Sequence, residues 1–160
     1  FQEKQMKIKN TAIFLILSLV LSAFSKNDEN TMKNCHFLFN KESCLSQSGV
    51  FFRNKGAVKS NLVNLFGNEE DSLILIDNFY EIQKGILLHS LEIKSISKSR
   101  SGNINVLLKE NQEIRLQQHK LKEQLLHLNL FLTSKKSKKL MNNFQSIDLR
   151  YKDKIAIKYF

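Results

Sequence analysis

Cysteine and histidine are the residues of this chain whose types and spacing could support chemistry. Cys35, His36 and Cys44 supply three possible metal ligands, but no fourth ligand stands at a spacing typical of a zinc site. The two cysteines can instead form a disulfide if this segment lies outside the cytoplasm. The interpretation that we favour is two unrelated buried or free thiols, and we expect no bound metal.

The other histidines do not form a recognisable catalytic group. His89, His119 and His127 are scattered, and none accompanies a nucleophile or carboxylate motif. The chain has five glycines and no glycine-rich loop of the kind that binds phosphate. The sequence therefore predicts a protein that is not an enzyme and that holds no cofactor.

Length and charge limit the class of protein and of partner. A chain of 160 residues with 42% hydrophobic residues suits one compact domain with a short appendage. Its net charge of +10 favours anionic partners such as nucleic acid, phospholipid headgroups or an acidic protein surface. The basic run "SKKSKK" at 134–139 has no interleaved aromatic residues, so we interpret it as a solvated loop and expect no nucleic-acid partner.

An apolar run near the amino terminus has three interpretations. Residues Thr11 to Phe24 follow Lys7 and Lys9, which is the layout of a secretory signal. The run is shorter than the roughly 20 residues that cross a bilayer comfortably, although a short anchor remains open. A buried strand is the third interpretation, because periodicity does not assign short apolar runs.

The middle of the chain predicts a helix that begins after Gly67. Asn68 is a candidate cap for this helix, and Gly85 is expected to end it. The apolar face is predicted to carry Leu73, Ile76 and Tyr80, which are spaced at i, i+3 and i+7.

Three strands, a second helix and two final strands are predicted after this first helix. Alternating apolar residues indicate the strands, and a leucine stripe at helical spacing indicates the second helix. The fold class predicted is α+β, with a mainly antiparallel sheet, two helices packed on it and an exposed C-terminal β-hairpin. The alternating positions are Leu91 and Ile93; Ile104, Val106 and Leu108; Ile114 and Leu116; Ile147, Leu149 and Tyr151; and Ile155, Ile157 and Tyr159, and the stripe is Leu121, Leu125, Leu128 and Leu132.

The closing stretch "IDLRYKD" resembles the end of the β domain in the bacterial FtsQ/DivIB cell-division family. Other stretches resemble that family in the same order: "LSQSGVFF", "LVNLFG", "INVLLKENQEIRL" and the leucine helix. The chain departs from the family pattern where Lys154 replaces a glycine, Ile104 a tryptophan and Val63 a proline. Asn111 and Asp153 tolerate positive φ and are expected to make the two turns in question.

The resemblance implies a division into two segments. Residues 45–160 correspond to the FtsQ-like β domain, and residues 1–44 to a membrane anchor or signal, or to the tail of a truncated POTRA domain. We favour the last of these slightly, because the stretch around Thr11–Phe24 resembles the final POTRA strand and is short for an anchor.

The resemblance also implies a function. It indicates a non-enzymatic divisome scaffold in septum formation, held by a single-pass anchor in the bacterial cytoplasmic (inner) membrane with its bulk on the periplasmic side. The implied partners are FtsB/FtsL-like coiled-coil proteins that dock on the last strand edge. The implied partner-binding residues are Arg150, as a bidentate fork for a carboxylate, Tyr151, as aromatic contact area, and Ile155, Ala156 and Ile157, as the strand edge.

Two other functions stay open on the residues alone. A secreted or surface-tethered binding protein of an unrelated family would use residues Met6 to Ala23 as a cleaved signal. A small basic nucleic-acid-binding protein is the third candidate.

Overall fold

The computed structural model describes residues 34–52, 61–135, 137, 143–152 and 154–160. A compact unit runs from Cys35 to Phe160. The apolar run at Thr11–Phe24, Asp153 and half of the run 134–139 lie outside the described residues.

Nine strands of the described residues form one sheet, in the order β3-β2-β1-β4-β5-β6-β7-β8-β9. Short polar turns separate neighbouring strands along much of the chain, so consecutive strands pair directly. The strands are β1 (Phe37–Phe39), β2 (Ser43–Leu45), β3 (Phe51–Phe52), β4 (Val63–Phe66), β5 (Ile93–Lys98), β6 (Asn103–Leu108), β7 (Glu113–Gln117), β8 (Phe144–Asp148) and β9 (Ala156–Tyr159).

Two helices connect strands that lie side by side. Helix α1 (Ser72–Ile86) leads from β4 to β5, and helix α2 (Leu121–Thr133) leads from β7 to β8. Both of these strand pairs are parallel, because a chain that crosses over a helix returns to the end where the first strand began. β1 and β4 are also parallel, and the other neighbouring pairs are antiparallel. The predicted α+β class, with a mostly antiparallel sheet and two helices packed on it, is confirmed.

The leucine stripe of α2 packs into the core as predicted. Leu128 is 1% exposed, and the other three leucines of the stripe are also buried, while Leu126 on the opposite side is 58% exposed. The predicted sheet positions join the same core, because alternate residues of a strand share one face. These positions are Ile104, Val106, Leu108, Ile114, Leu116, Ile147 and Leu149.

The predicted apolar face of α1 is wrong. Leu73 is 57% exposed and Tyr80 is 41% exposed, so of the predicted face only Ile76 is buried. The buried face is offset and carries Leu75, Ile76, Ile82 and Ile86. The stretch 73–76 is apolar throughout and therefore allows several stripes, and contact with the sheet decides among them.

The ends of α1 also differ from the prediction. Asn68 makes no side-chain hydrogen bond as a cap, and a 3-10 turn at Glu69–Asp71 precedes the helix. The helix passes Gly85 and ends at Ile86. A Cβ on Gly85 would lie 3.5 Å from Leu125 Cδ2, an ordinary van der Waals contact, so Gly85 lies at the contact between the two helices.

The terminal hairpin is present but shorter than predicted. β8 ends at Asp148, so Leu149, Arg150 and Tyr151 follow the strand rather than continue it. β9 begins at Ala156, one residue after Ile155. Asn111 has a φ of +62°, which confirms its expected role in the turn between β6 and β7.

Strands β1 and β2 extend the sheet beyond what the alternation predicts. Each has three residues, which is too short for a recognisable period. β3 follows a turn at Gly49, whose φ of +82° explains the glycine.

Candidate functional site

The corner that follows β8 is held together by Asp148. Its Oδ1 accepts hydrogen bonds from the backbone N–H of Arg150 at 3.0 Å and from Arg150 Nε at 2.9 Å. Its Oδ2 accepts a third from Arg150 Nη2 at 2.7 Å. These bonds close a small ring between residues two positions apart, so the guanidinium stays beside the end of β8.

Charged residues of the neighbouring strand β7 lie beside the Asp148–Arg150 pair. Arg115 of β7 lies opposite Asp148 in the parallel register, and it bonds Glu113 through Nε at 3.0 Å and Nη2 at 2.6 Å. Carboxylates and guanidinium groups therefore alternate across the ends of β7 and β8.

The charge pair shifts the pKa values of its members. Burial raises the pKa of Asp148. Hydrogen bonds from the side chain and backbone of Arg150, together with the charges of Arg150 and Arg115, lower it by a larger amount, so the pKa lies below its ordinary value. The hydrogen bond to Asp148 raises the pKa of Arg150, and the hydrogen bond to Glu113 raises that of Arg115. Both members of the pair are therefore charged near neutral pH.

Leu149, which lies between Asp148 and Arg150, is hydrogen-bonded at both its N–H and its carbonyl. Its N–H donates to the Arg115 carbonyl at 3.0 Å, and its carbonyl accepts from Gln124 Nε2 at 2.9 Å. Gln124 lies on α2 and is 4% exposed. Its Oε1 accepts a second bond, from the Gln117 N–H at the end of β7, at 2.7 Å.

The residues predicted to bind a partner lie in and after this corner. Tyr151 is 60% exposed. Ile155 and Ile157 are half-buried and pack against the core, whereas Ala156 between them is exposed. Ala156 lies opposite Asp148 in the β8–β9 register, so the charged corner and the final strand are adjacent.

β9 is an edge of the sheet. It stands last in the strand order and pairs with β8, so no described strand covers the other side of its backbone. Lys154 and Lys158 are exposed beside it, and charge of this kind discourages indiscriminate strand pairing. The structure thus brings the five predicted residues to one edge, and their role in binding stays a prediction.

Asp148 and Gln124 are the residues of this corner that sequence reasoning missed. Asp148 stands between the predicted core positions Ile147 and Leu149, where alternation places a residue on the opposite face, but it is 7% exposed. Its signal is the spacing to Arg150, which allows a local side-chain turn. Gln124 is a polar residue adjacent to the leucine stripe, and only its contacts with β7 and Leu149 reveal its role.

The favoured interpretation of Cys35 and Cys44 as unrelated thiols is wrong. Their sulfur atoms form a disulfide, with the Cα atoms 5.2 Å apart. Cys44 lies on β2 opposite Leu38 of the antiparallel partner β1, and Cys35 lies two residues ahead of β1. A disulfide occupies both sulfur atoms, so neither is available as a thiolate ligand.

No group of three or more His, Cys, Asp or Glu side chains among the described residues is placed to hold a metal ion. An open cleft of about 670 Å³ lies between α1 and the start of α2. The side-chain amide of its buried Asn78 both donates to and accepts from the Gln118 side chain.

Neither α1 nor α2, nor any other helix in the described ranges, has the length and apolar character to cross a bilayer.

Comparison with known proteins identifies a family. The model of the family described as "Cell division protein FtsQ/DivIB, C-terminal" matches residues 38–150. This range contains β2 to β8, both helices and all of β1 except Phe37. A comparison with curated proteins gave no match.

Proposed function

This chain belongs to the FtsQ/DivIB family of cell-division proteins, and we propose that it docks small coiled-coil partners of the FtsB/FtsL type on the free edge of β9. The family is one of non-enzymatic division scaffolds, so the chain acts in cell division by holding other proteins. A binding protein of an unrelated family, the second candidate from the sequence, does not agree with this membership.

The open edge of β9 is the observation that carries the proposal. A free strand edge offers unpaired backbone N–H and C=O groups to a partner segment, which adds to the sheet as a further strand. Backbone hydrogen bonds then supply affinity, and the side chains beside the edge supply selection. Ala156 and Ile157 begin β9 and Ile155 directly precedes it, and Ala156 is exposed and small.

Tyr151 provides the aromatic contact of the proposed site. It is 60% exposed, and the backbone of its corner is already held by hydrogen bonds at the N–H and carbonyl of Leu149. Binding therefore costs little further backbone conformational entropy. Aromatic side chains of this kind dominate many interfaces because they combine large apolar area with a polar tip.

Arg150 binds a partner carboxylate with the donors that Asp148 leaves free. A guanidinium has five N–H donors, and Asp148 uses Nε and Nη2. The side chain is 31% exposed, so it is partly accessible to a partner. The role of Arg150 is thereby shared between holding the corner and selecting an acidic partner.

We place the docking domain on the outer side of the bacterial inner membrane, at the septum. The Cys35–Cys44 disulfide supports this location, because disulfides persist in oxidising compartments outside the cytoplasm. In the proposed arrangement residues 45–160 form the β domain, and residues 1–44 contain the anchor or signal, or the tail of a POTRA domain. β1 and the start of β2 join that first segment to the sheet.

Binding of the genome's own FtsB-like protein to the full chain tests the docking site. Tyr151→Ala should weaken binding by roughly tenfold or more, as loss of an aromatic anchor commonly does. Ala156→Lys, which adds a bulky charge beside the edge, should also weaken it. Both residues are exposed, so both variants should keep the wild-type melting temperature.

Tyr80→Ala is the matched control for this experiment. Tyr80 is a tyrosine of comparable exposure on α1, where its ring packs near Phe37. Its loss should leave the dissociation constant unchanged. Wild-type affinity in both Tyr151→Ala and Ala156→Lys would show that the edge is not the docking site. Arg150→Glu is less informative, because it would place a second carboxylate against Asp148.

A further inference from the structure

Gln124 is a buried amide that bridges the core helix and the proposed docking corner. It lies on α2 among the buried leucines, and its two polar atoms bond two different backbone segments. Oε1 accepts from the Gln117 N–H at 2.7 Å, and Nε2 donates to the Leu149 carbonyl at 2.9 Å. Gln117 ends β7, whereas Leu149 begins the corner that leads to Tyr151.

We infer that Gln124 is a positioning residue of the docking site: it sets the direction in which the chain leaves β8, and so where Tyr151 projects. The inference rests on the proposed function of the β9 edge. Gln124 itself, at 4% exposure, is too buried to contact a partner. Its effect on binding must therefore pass through Leu149 and the residues after it.

The hydrogen bonds of the corner explain why one amide has this influence. β8 ends at Asp148, so Leu149 lies beyond the regular β8–β9 pairing. Its N–H is held by Arg115 and its carbonyl by Gln124, and these two bonds fix the peptide planes on both sides of the residue. Asp148 then fixes the next N–H, that of Arg150. Without the Gln124 bond, the peptide plane between Leu149 and Arg150 keeps its bond to Asp148 but loses the one that joins it to α2.

The charge pair does not replace this anchor. Asp148 belongs to β8, so its bonds to Arg150 tie the corner to the end of that strand but not to α2. The bond from Gln124 connects the corner to α2, whose stripe Leu121, Leu125, Leu128 and Leu132 is buried in the core. A polar side chain here also satisfies two buried backbone groups that would otherwise lack partners, which an apolar residue of similar size leaves unpaired.

A double-mutant cycle between Gln124 and Tyr151 tests the inference. In the full chain, Gln124→Leu should weaken binding of the FtsB-like partner about five- to tenfold, measured well below the melting temperature. The same change made in the Tyr151→Ala background should have little further effect, because the contact that Gln124 positions is already absent. A purely structural residue would lower stability but would not show this coupling.

Asn78→Leu is the control for general loss of stability. Asn78 is a buried amide on α1, 3% exposed, with two side-chain hydrogen bonds to Gln118. Its replacement should destabilise the chain by an amount similar to Gln124→Leu and leave the dissociation constant unchanged. Hydrogen exchange of the Arg150 amide should accelerate in Gln124→Leu and stay slow in Asn78→Leu.

Gln124→Glu separates the two hydrogen bonds, and it replaces Gln124→Leu if the latter does not fold. The carboxyl keeps an acceptor for Gln117 but cannot donate to the Leu149 carbonyl once it is ionised, and because burial raises its pKa, binding is measured at a pH where the variant carboxyl is ionised. Binding should weaken as in Gln124→Leu. Wild-type affinity in Gln124→Glu, or equal effects of Gln124→Leu with and without Tyr151, would overturn the inference. If Tyr151→Ala alone binds as wild type, the proposed docking site is wrong instead.

Discussion

The two ends of the sheet are stabilised by different means. At the β1–β3 end, a disulfide joins Cys35 to Cys44, and aromatic rings pack edge-to-face, with Phe37 and Phe79 centroids 5.1 Å apart and Phe39 and Phe51 5.0 Å apart. At the β9 end, the contacts are ion pairs and hydrogen bonds around Asp148, and Tyr151 and Ala156 stay exposed.

This difference indicates separate roles for the two ends. Covalent and aromatic contacts at the β1–β3 end bury apolar area and limit the unfolded chain, so they serve stability. The β9 end is ordered by polar contacts that leave its strand edge open to solvent. A sheet can thus expose one edge for a partner because its stability is supplied elsewhere, chiefly by the core under α1 and α2.

The largest effect expected is unfolding of the whole domain, including both ends of the sheet. Leu125→Asp places a carboxylate without a partner in the core that α2 shares with the sheet, and we expect a loss of several kcal/mol, enough to unfold the domain. The test is thermal unfolding followed by near-UV circular dichroism. Leu126→Asp, on the exposed side of the same helix, should change stability by less than about 0.5 kcal/mol. Wild-type stability in Leu125→Asp would contradict the packing described.

Removal of the disulfide at the β1–β3 end should lower stability without changing partner binding at the β9 end. The double variant Cys35→Ser, Cys44→Ser should lose about 2–4 kcal/mol of unfolding free energy, because the unfolded chain is no longer constrained. Denaturant unfolding measures this loss, and wild-type protein with reductant during unfolding is the control. The affinity for the FtsB-like partner should be unchanged at temperatures where the variant is folded. A matching loss of affinity would show that the two ends are not independent.

A smaller effect is expected from Asp148→Asn, and it depends on pH. The folded-state pKa of Asp148 is lowered, so its stabilising contribution is present above the unfolded pKa and is lost as the pH falls through the folded value. Near neutral pH the variant should be less stable by about 1–3 kcal/mol. The two proteins should converge below about pH 4, where the unfolded carboxyl titrates.

Urea unfolding at several pH values measures this convergence. Glu92→Gln is the control, because the Lys109–Glu92 pair is largely exposed and should contribute less than about 1 kcal/mol. A constant difference between wild type and Asp148→Asn from neutral pH down to acid would mean that the charge of Asp148 does not hold the corner.

The sequence predicts those parts of the fold in which local pattern and burial agree. The alternation through Ile104–Leu108 and the stripe Leu121–Leu132 each allow a single buried face, and both are confirmed. The apolar stretch at 73–76 allows several faces, and there the prediction for α1 is wrong. Strands of three residues, such as β1 and β2, have too few positions for any period.

The sequence likewise predicts only part of the candidate site. Through the family resemblance, the sequence singles out Arg150 and Tyr151 as candidates, and its alternation predicts a hairpin at the end of the chain. It does not reveal that Asp148 already occupies part of the Arg150 fork, since that requires the bend after β8.

The sequence by itself thus determined the α+β class, the order of helices and strands after Gly67 and the family resemblance, because these depend on residue type and on spacing within one element. Tertiary structure alone decided the Cys35–Cys44 disulfide, the buried face of α1 and the anchoring of Leu149 by Gln124. Each of these joins elements whose relative position no local pattern encodes: β1 with β2, α1 with the sheet, and α2 with the corner after β8. Burial and hydrogen-bond satisfaction act on the whole packed unit, and they settle these choices only when its parts are brought together.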